Sequence, residues 1–246
     1  FTLLAVPMFI FMGIMLEKSG LAEELLETMG QLCGQMRGGL ALSVILVGAL
    51  LAATTGVVGA TVVTMGIIAL PAMLKHHYDP IYACGTITAA GTLGQVVPPS
   101  IVLILLADIV GVPVGELFVG AIVPSLILVS CYISYVLIRA WRFPHEAPAV
   151  SANHREKIKA RVLKSLLPPL LLISAVLGSI FLGIASPTES AAMGGGGAIV
   201  LAWLHGRLNT KVLRESSAQT MKLTAMVFTI LVGATAFGLV FKSLGG

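Results

Sequence analysis

Residues 38–75 read GGLALSVILVGALLAATTGVVGATVVTMGIIALPAMLK, with Arg37 before them and no charged side chain until the closing Lys75. No other segment constrains the fold so much. The run is too long for one membrane-crossing helix, and its centre, TTGVVGAT at 54–61, holds the residues least suited to a buried helix. The flanking arms, 39–53 and 62–74, would reach roughly 22 and 20 Å at ~1.5 Å per residue, short of a hydrocarbon core of ~30 Å. Both ends are basic. These features predict a re-entrant helical hairpin that enters from the cytoplasm and turns inside the bilayer. Two full spans joined by a tight turn fit the arm lengths less well.

Composition supports the setting. The chain is 57% hydrophobic and 11% charged, against roughly 25% charged residues in soluble domains. The ~10-residue alternating strands of a membrane barrel do not occur. The expected fold class is therefore an all-α, polytopic membrane protein in a lipid bilayer. FTLLAVPMFIFMGIML at the start lacks an initiator Met and a basic leader, so it reads as a helix of a longer protein rather than as a signal peptide.

Seven of the fifteen Lys and Arg lie in 139–164, a loop with a short basic surface helix. The positive-inside rule places it in the cytoplasm. From that anchor the expected order is a span at 1–16, the hairpin at 38–75, and a broken span at 81–110. Further spans follow at 114–138, 165–185, 187–204 and 219–241. Residues 18–37 carry Leu21, Leu25, Met29 and Leu32 on one face and Glu23, Glu24 and Glu27 on another. That pattern is an amphipathic interfacial helix, too charged to cross.

The span 81–110 is interrupted by GTLGQVVPPS. Pro98 and Pro99 remove two backbone donors and push the preceding residues out of the α region. Gly91 and Gly94 loosen the turn ahead, so the carbonyls around 94–97 are expected to lose helical partners. Ser100 opens the next half-helix, where amide donors converge. Non-helical backbone at membrane depth needs partners. Unwound carbonyls suit a cation, and half-helix N-termini suit an anionic group.

The motifs MFIFMG (8–13), TTGVVGATVVTMG (54–66), GTLGQVVPPSI (91–101) and ASPTESAA (185–192) resemble the large membrane subunit of tripartite ATP-independent periplasmic (TRAP) transporters, in order along nearly the whole chain. The resemblance implies an elevator-type importer of the bacterial inner membrane, driven by sodium. It implies two partners: a small four-helix membrane subunit and a periplasmic substrate-binding protein that delivers a small-molecule substrate, usually an organic acid. It also implies two inverted repeats, of which this chain would hold the first and part of the second. Carried over, Gly56, Gly59 and Thr61 match the first hairpin tip, and Gly94, Pro98, Pro99 and Ser100 the first broken helix. With Thr54 and Thr55 they would bind sodium and help form the substrate site, with no transition metal and no cofactor. Val57 and Val58 stand where the family usually has hydroxyl residues, so ligation would fall to backbone carbonyls or to Thr54, Thr55 and Thr61.

Other residues read as structural. Ser186, Pro187 and Glu189 form a helix start with a capping box. Gly194 to Gly197 make a smooth packing face. Cys33, Cys84 and Cys131 read as small buried hydrophobes. Asp108 is expected at the outer interface, solvated or else lining a pathway, and the histidines lie in loops. No H-E-x-x-H, no G-x-S-x-G and no pair of buried aspartates occurs, which argues against an intramembrane enzyme. Without a P-loop, an ATP-driven permease would need its motor from a partner. The basic residues cluster where a membrane protein needs them, which is not a nucleic-acid signal. The nearest alternative is an ion-coupled carrier of the same superfamily that works without a binding protein.

Overall fold

The computed structural model describes residues 2–34, 36–55, 58–149 and 156–245, and every regular element among them is helical. A 3-10 turn, Thr2–Leu4, leads into α1 (Ala5–Lys18) and α2 (Leu21–Cys33). Then come α3 (Gly39–Thr55), α4 (Val58–Lys75), α5 (Pro80–Thr92) and α6 (Ile101–Val110). The remainder is α7 (Val114–Arg142), α8 (Glu156–Phe181), α9 (Pro187–Leu204) and α10 (Thr210–Ser243).

Among the described residues, α7 and α10 are long and apolar enough to cross a membrane by length and composition. Helix α1 and most of α2 meet the same test together, across a 61° bend. The outward faces of α7 and α10 carry Val123, Leu126, Ile138, Ile230, Val232 and Phe237, all more than half exposed. Apolar stripes of that length suit hydrocarbon surroundings rather than water. The same outward turn places Cys84 and Cys131 on the surface and leaves Cys33 half-buried, which corrects the expectation that all three fill a core. In a membrane protein, an apolar run says nothing about which side chains point inward.

Helix boundaries follow local chemistry. The Asp79 carboxylate accepts from the Tyr82 amide at 2.9 Å, with Pro80 at the first helical position. The Ser186 hydroxyl accepts from the Glu189 amide, and the Glu189 carboxylate accepts from the Ser186 amide at 2.7 Å. This is the reciprocal cap read from the sequence. Gly20, at φ +76°, turns the chain between α1 and α2. The α2 face also differs in detail. Leu21, Leu25, Leu26 and Met29 are buried, while Leu32 is exposed. The basic segment 156–164 is not a separate surface helix, since α8 continues unbroken through it.

Beside the Gly20 corner, Lys18 donates to Glu215 at 2.8 Å. That hydrogen bond holds the Glu215 carboxyl below its ordinary pKa. Lowering a folded-state carboxyl pKa stabilises the fold above the unfolded value, ~4.3 for Glu, and the gain is lost as pH falls through the lowered value. Wild type is therefore expected to melt slightly above Glu215→Gln at pH 7. The gap should close below pH ~4 in a series of thermal melts.

The buried side chains form two clusters. One joins α2, α3, α4, α5 and the C-terminal part of α7, through Leu25, Val44, Met65, Tyr78, Ile87, Val136 and Ala140 among others. The other joins α1, α6, the N-terminal part of α7, α8 and α9, through Phe9, Met12, Ile104, Phe118, Val176 and Ala198. Helix α9 comes in close. A Cβ on Gly194 would stand 2.5 Å from Met12 Sδ and 3.0 Å from Val176 Cγ2.

Candidate functional site

The hairpin helices are longer than the sequence suggests. Helix α3 runs through Thr54 and Thr55, and α4 begins at Val58, giving 17 and 18 residues, roughly 25 and 27 Å. Threonine and valine continue the helices where the arms were expected to stop at 53 and to resume at 62. Gly56 and Val57 lie outside the described residues. Gly59 sits in the first turn of α4, exposed, and a Cβ there would meet nothing within 4 Å. Its φ is not positive. Neither left-handed backbone nor close approach explains it. Thr61, two residues further, is 2% exposed.

Both arms pack on α5 and on the 3-10 turn Leu93–Gln95 that follows it. Two glycines allow this. A Cβ on Gly48 of α3 would stand 2.6 Å from the Ala90 Cβ, and one on Gly91 would collide with the Val62 side chain of α4. Gly91 is thus a packing position inside α5, not a loosener of the break. The sequence reading did not single out Gly48, and only its place in a Gly/Ala-rich helix hinted at it.

The break lies between Thr92 and Ile101. Gly94, Pro98 and Pro99 are buried, and Ser100 is fully buried at the start of α6. Of the four carbonyls expected to lack partners, those of Gln95 and Val96 meet hydroxyl donors of the protein. Leu93 O accepts from the Val96 and Val97 amides at 3.0 and 2.9 Å. Gln95 O accepts the Ser100 hydroxyl at 2.8 Å, so Ser100 ties the far side of the break to its near side. The Ser125 hydroxyl, with one hydrogen to donate, lies 2.8 Å from Val96 O and 2.6 Å from Ala121 O of its own helix. Ser125 is a buried α7 residue that the sequence reading missed. A serine directly after Pro124 was the only signal.

One further link joins the hairpin to the other cluster. Thr64 of α4 donates its hydroxyl to the Glu17 carboxylate at the end of α1. Asp108 is exposed near the end of α6, and His205 Nδ1 lies 2.8 Å from Leu201 O. Among the described residues no group of three His, Cys, Asp or Glu is placed to hold a metal ion. Among the described residues, the polar atoms at the break include the Ser100 and Ser125 hydroxyls and the backbone carbonyls beside them. These are hard oxygen donors, of the kind that coordinate sodium in transporters with broken helices.

The family model described as "Tripartite ATP-independent periplasmic transporter, DctM component" matches residues 1–246. The C4-dicarboxylate TRAP transporter large permease protein of Pseudomonas aeruginosa is 33% identical over 240 residues, covering 96% of this chain and 55% of that protein. The ectoine/5-hydroxyectoine TRAP large permease of Ruegeria pomeroyi is 33% identical over 238 residues, covering 96% and 54%. The sialic acid TRAP permease of Haemophilus influenzae is 30% identical over 245 residues, covering 97% and 38%. The chain spans about half the length of the curated relatives it matches, and less of the longest.

Proposed function

This chain belongs to the DctM component family of tripartite ATP-independent periplasmic transporters, and on that premise we propose that it is part of the permease subunit of a sodium-coupled importer. A periplasmic binding protein delivers the solute, and a small four-helix subunit sits beside the permease in the bacterial inner membrane. The substrate is an organic acid or a related small solute. The relatives named for C4-dicarboxylate and for sialic acid favour acids, and the ectoine relative widens the class to zwitterions.

The observation that carries this reading is the seating of both hairpin arms on the turn of a broken helix. That arrangement concentrates backbone and hydroxyl oxygens where two helices stop. Sodium would be held by oxygens of Thr54, Thr55, Gly56, Gly59 and Thr61 on the hairpin and of Gly94, Pro98, Pro99 and Ser100 at the break. The α6 N-terminus, with its unpaired amides and positive dipole end, would face the anionic group of the substrate. The two buried clusters support an elevator. The cluster that contains the hairpin would move against the one that contains α1, α8 and α9. The chain would then hold the first inverted repeat and part of the second.

The test is uptake into proteoliposomes holding the full-length permease, its small subunit and its binding protein, with and without an inward sodium gradient. Uptake is expected to require the gradient, and to fall in Ser100→Ala and in Gly56→Leu. Sodium-independent uptake, or full activity in both variants, would refute the assignment.

A further inference from the structure

The two feet of the hairpin are held by one short segment. After α7 the chain turns back, and its residues 146 and 147 meet both feet through backbone hydrogen bonds. The Gly38 amide, just before α3, donates to Ala147 O at 3.0 Å. The Asp79 amide, just after α4, donates to Glu146 O at 3.0 Å. Ala147 is fully buried.

That segment is fastened in turn. The Glu146 carboxylate accepts from Arg139 Nε at 2.8 Å and from Arg139 Nη2 at 3.2 Å, a two-point pairing. The Arg139 guanidinium also lies over the Phe143 ring, 4.9 Å from its centre. The feet are further tied to α7 and to each other. The Tyr82 hydroxyl donates to Val136 O, and the Leu40 amide donates to the Tyr78 hydroxyl, both at 3.3 Å. Gly38 has φ +75°, and a Cβ there would stand 2.6 Å from the Ala140 Cβ, so α7 comes within backbone contact of the first foot.

We infer that Arg139 and Glu146 are positioning residues for the hairpin tip: by fixing both feet to the end of α7, they set the register of the arms against the broken helix. The inference rests on the transport reading above. Its physical basis is leverage. Two rigid arms joined at their tips keep one spacing only if the opposite ends are also held. The last turns of α7 then travel with the hairpin, while its first turns, around Phe118, belong to the other cluster.

The experiment uses the full-length permease with its partner subunits, as wild type, Glu146→Gln, Arg139→Lys and the charge swap Arg139→Glu/Glu146→Arg. Hydrogen exchange reads the amides around Gly38 and Asp79. Uptake, normalised to folded protein, gives turnover and KM. In Glu146→Gln, protection at both feet is expected to fall at least tenfold and turnover about fivefold, with KM within twofold, because no substrate contact is touched. Arg139→Lys keeps the charge but loses the second contact, and should fall between. The swap should restore protection and turnover together. Unchanged protection in Glu146→Gln and Arg139→Lys overturns the lock. Lost protection with unchanged turnover, or a swap that restores neither, overturns the positioning role. Failure of the transport reading shows separately, as sodium-independent uptake by wild type.

Discussion

Gly91→Ala is expected to cripple the permease, while Gly85→Ala on the same helix leaves it intact. Alanine normally gains about 1 kcal/mol over glycine inside a helix. At Gly85 a Cβ meets nothing within 4 Å, so that gain, or neutrality, is the expectation. At Gly91 the new carbon would collide with Val62 Cγ2 and stand 3.1 Å from Val62 Cα. A rotamer change can move the methyl group, but the second atom is backbone. Helix α4 must then shift away from α5, which costs about 1–3 kcal/mol as overpacking. The shift falls at the residue next to Thr61 and about one turn from the start of α4, so transport should suffer beyond the loss of stability. Val62→Ala removes the methyl contact and should rescue Gly91→Ala in part. Thermal melts and uptake of the three variants decide it, and equal melting of Gly91→Ala and Gly85→Ala would refute the packing role.

Removing both serine hydroxyls at the break should have the second large effect. Ser100 donates to Gln95 O, and the single Ser125 hydrogen is shared between Val96 O and Ala121 O. Leaving a partly buried carbonyl without its donor costs about 1–3 kcal/mol, and near membrane depth there is little water to replace it. Ser100→Ala and Ser125→Ala should each lower the melting temperature. The double variant should fall below both, though not by the simple sum, because neighbouring groups of one network couple. Ser125→Thr keeps the hydroxyl and should retain most of the stability. If the freed carbonyls lie in the sodium site, sodium will protect wild type against unfolding more than it protects the double variant. Equal protection would make the two serines structural props only.

Much of the helical framework was legible because its signals are local. Asp79 with Pro80, and Ser186 with Pro187 and Glu189, start helices through bonds that span three residues. GTLGQVVPPS breaks a helix because proline lacks an amide hydrogen wherever it stands. Residue type misled where helix and loop compete. Thr54, Thr55 and Val58 looked like tip residues yet continue the helices, since β-branching lowers helix propensity by only tenths of a kcal/mol.

By itself the sequence determined that this chain is helical, apolar on the scale of a bilayer, and broken near the middle of two runs. Those outcomes depend on hydrogen bonds and transfer energies reckoned within a few turns of one segment. Only the tertiary structure decided that Gly48 and Gly91 are packing points, that Ser125 serves a carbonyl 29 residues away, that Cys84 and Cys131 face outward, and that residues 146 and 147 hold both feet of the hairpin. Each of these is a contact between segments distant along the chain. Its energy depends on which surfaces meet, and the spacing of residues along one helix carries no record of that.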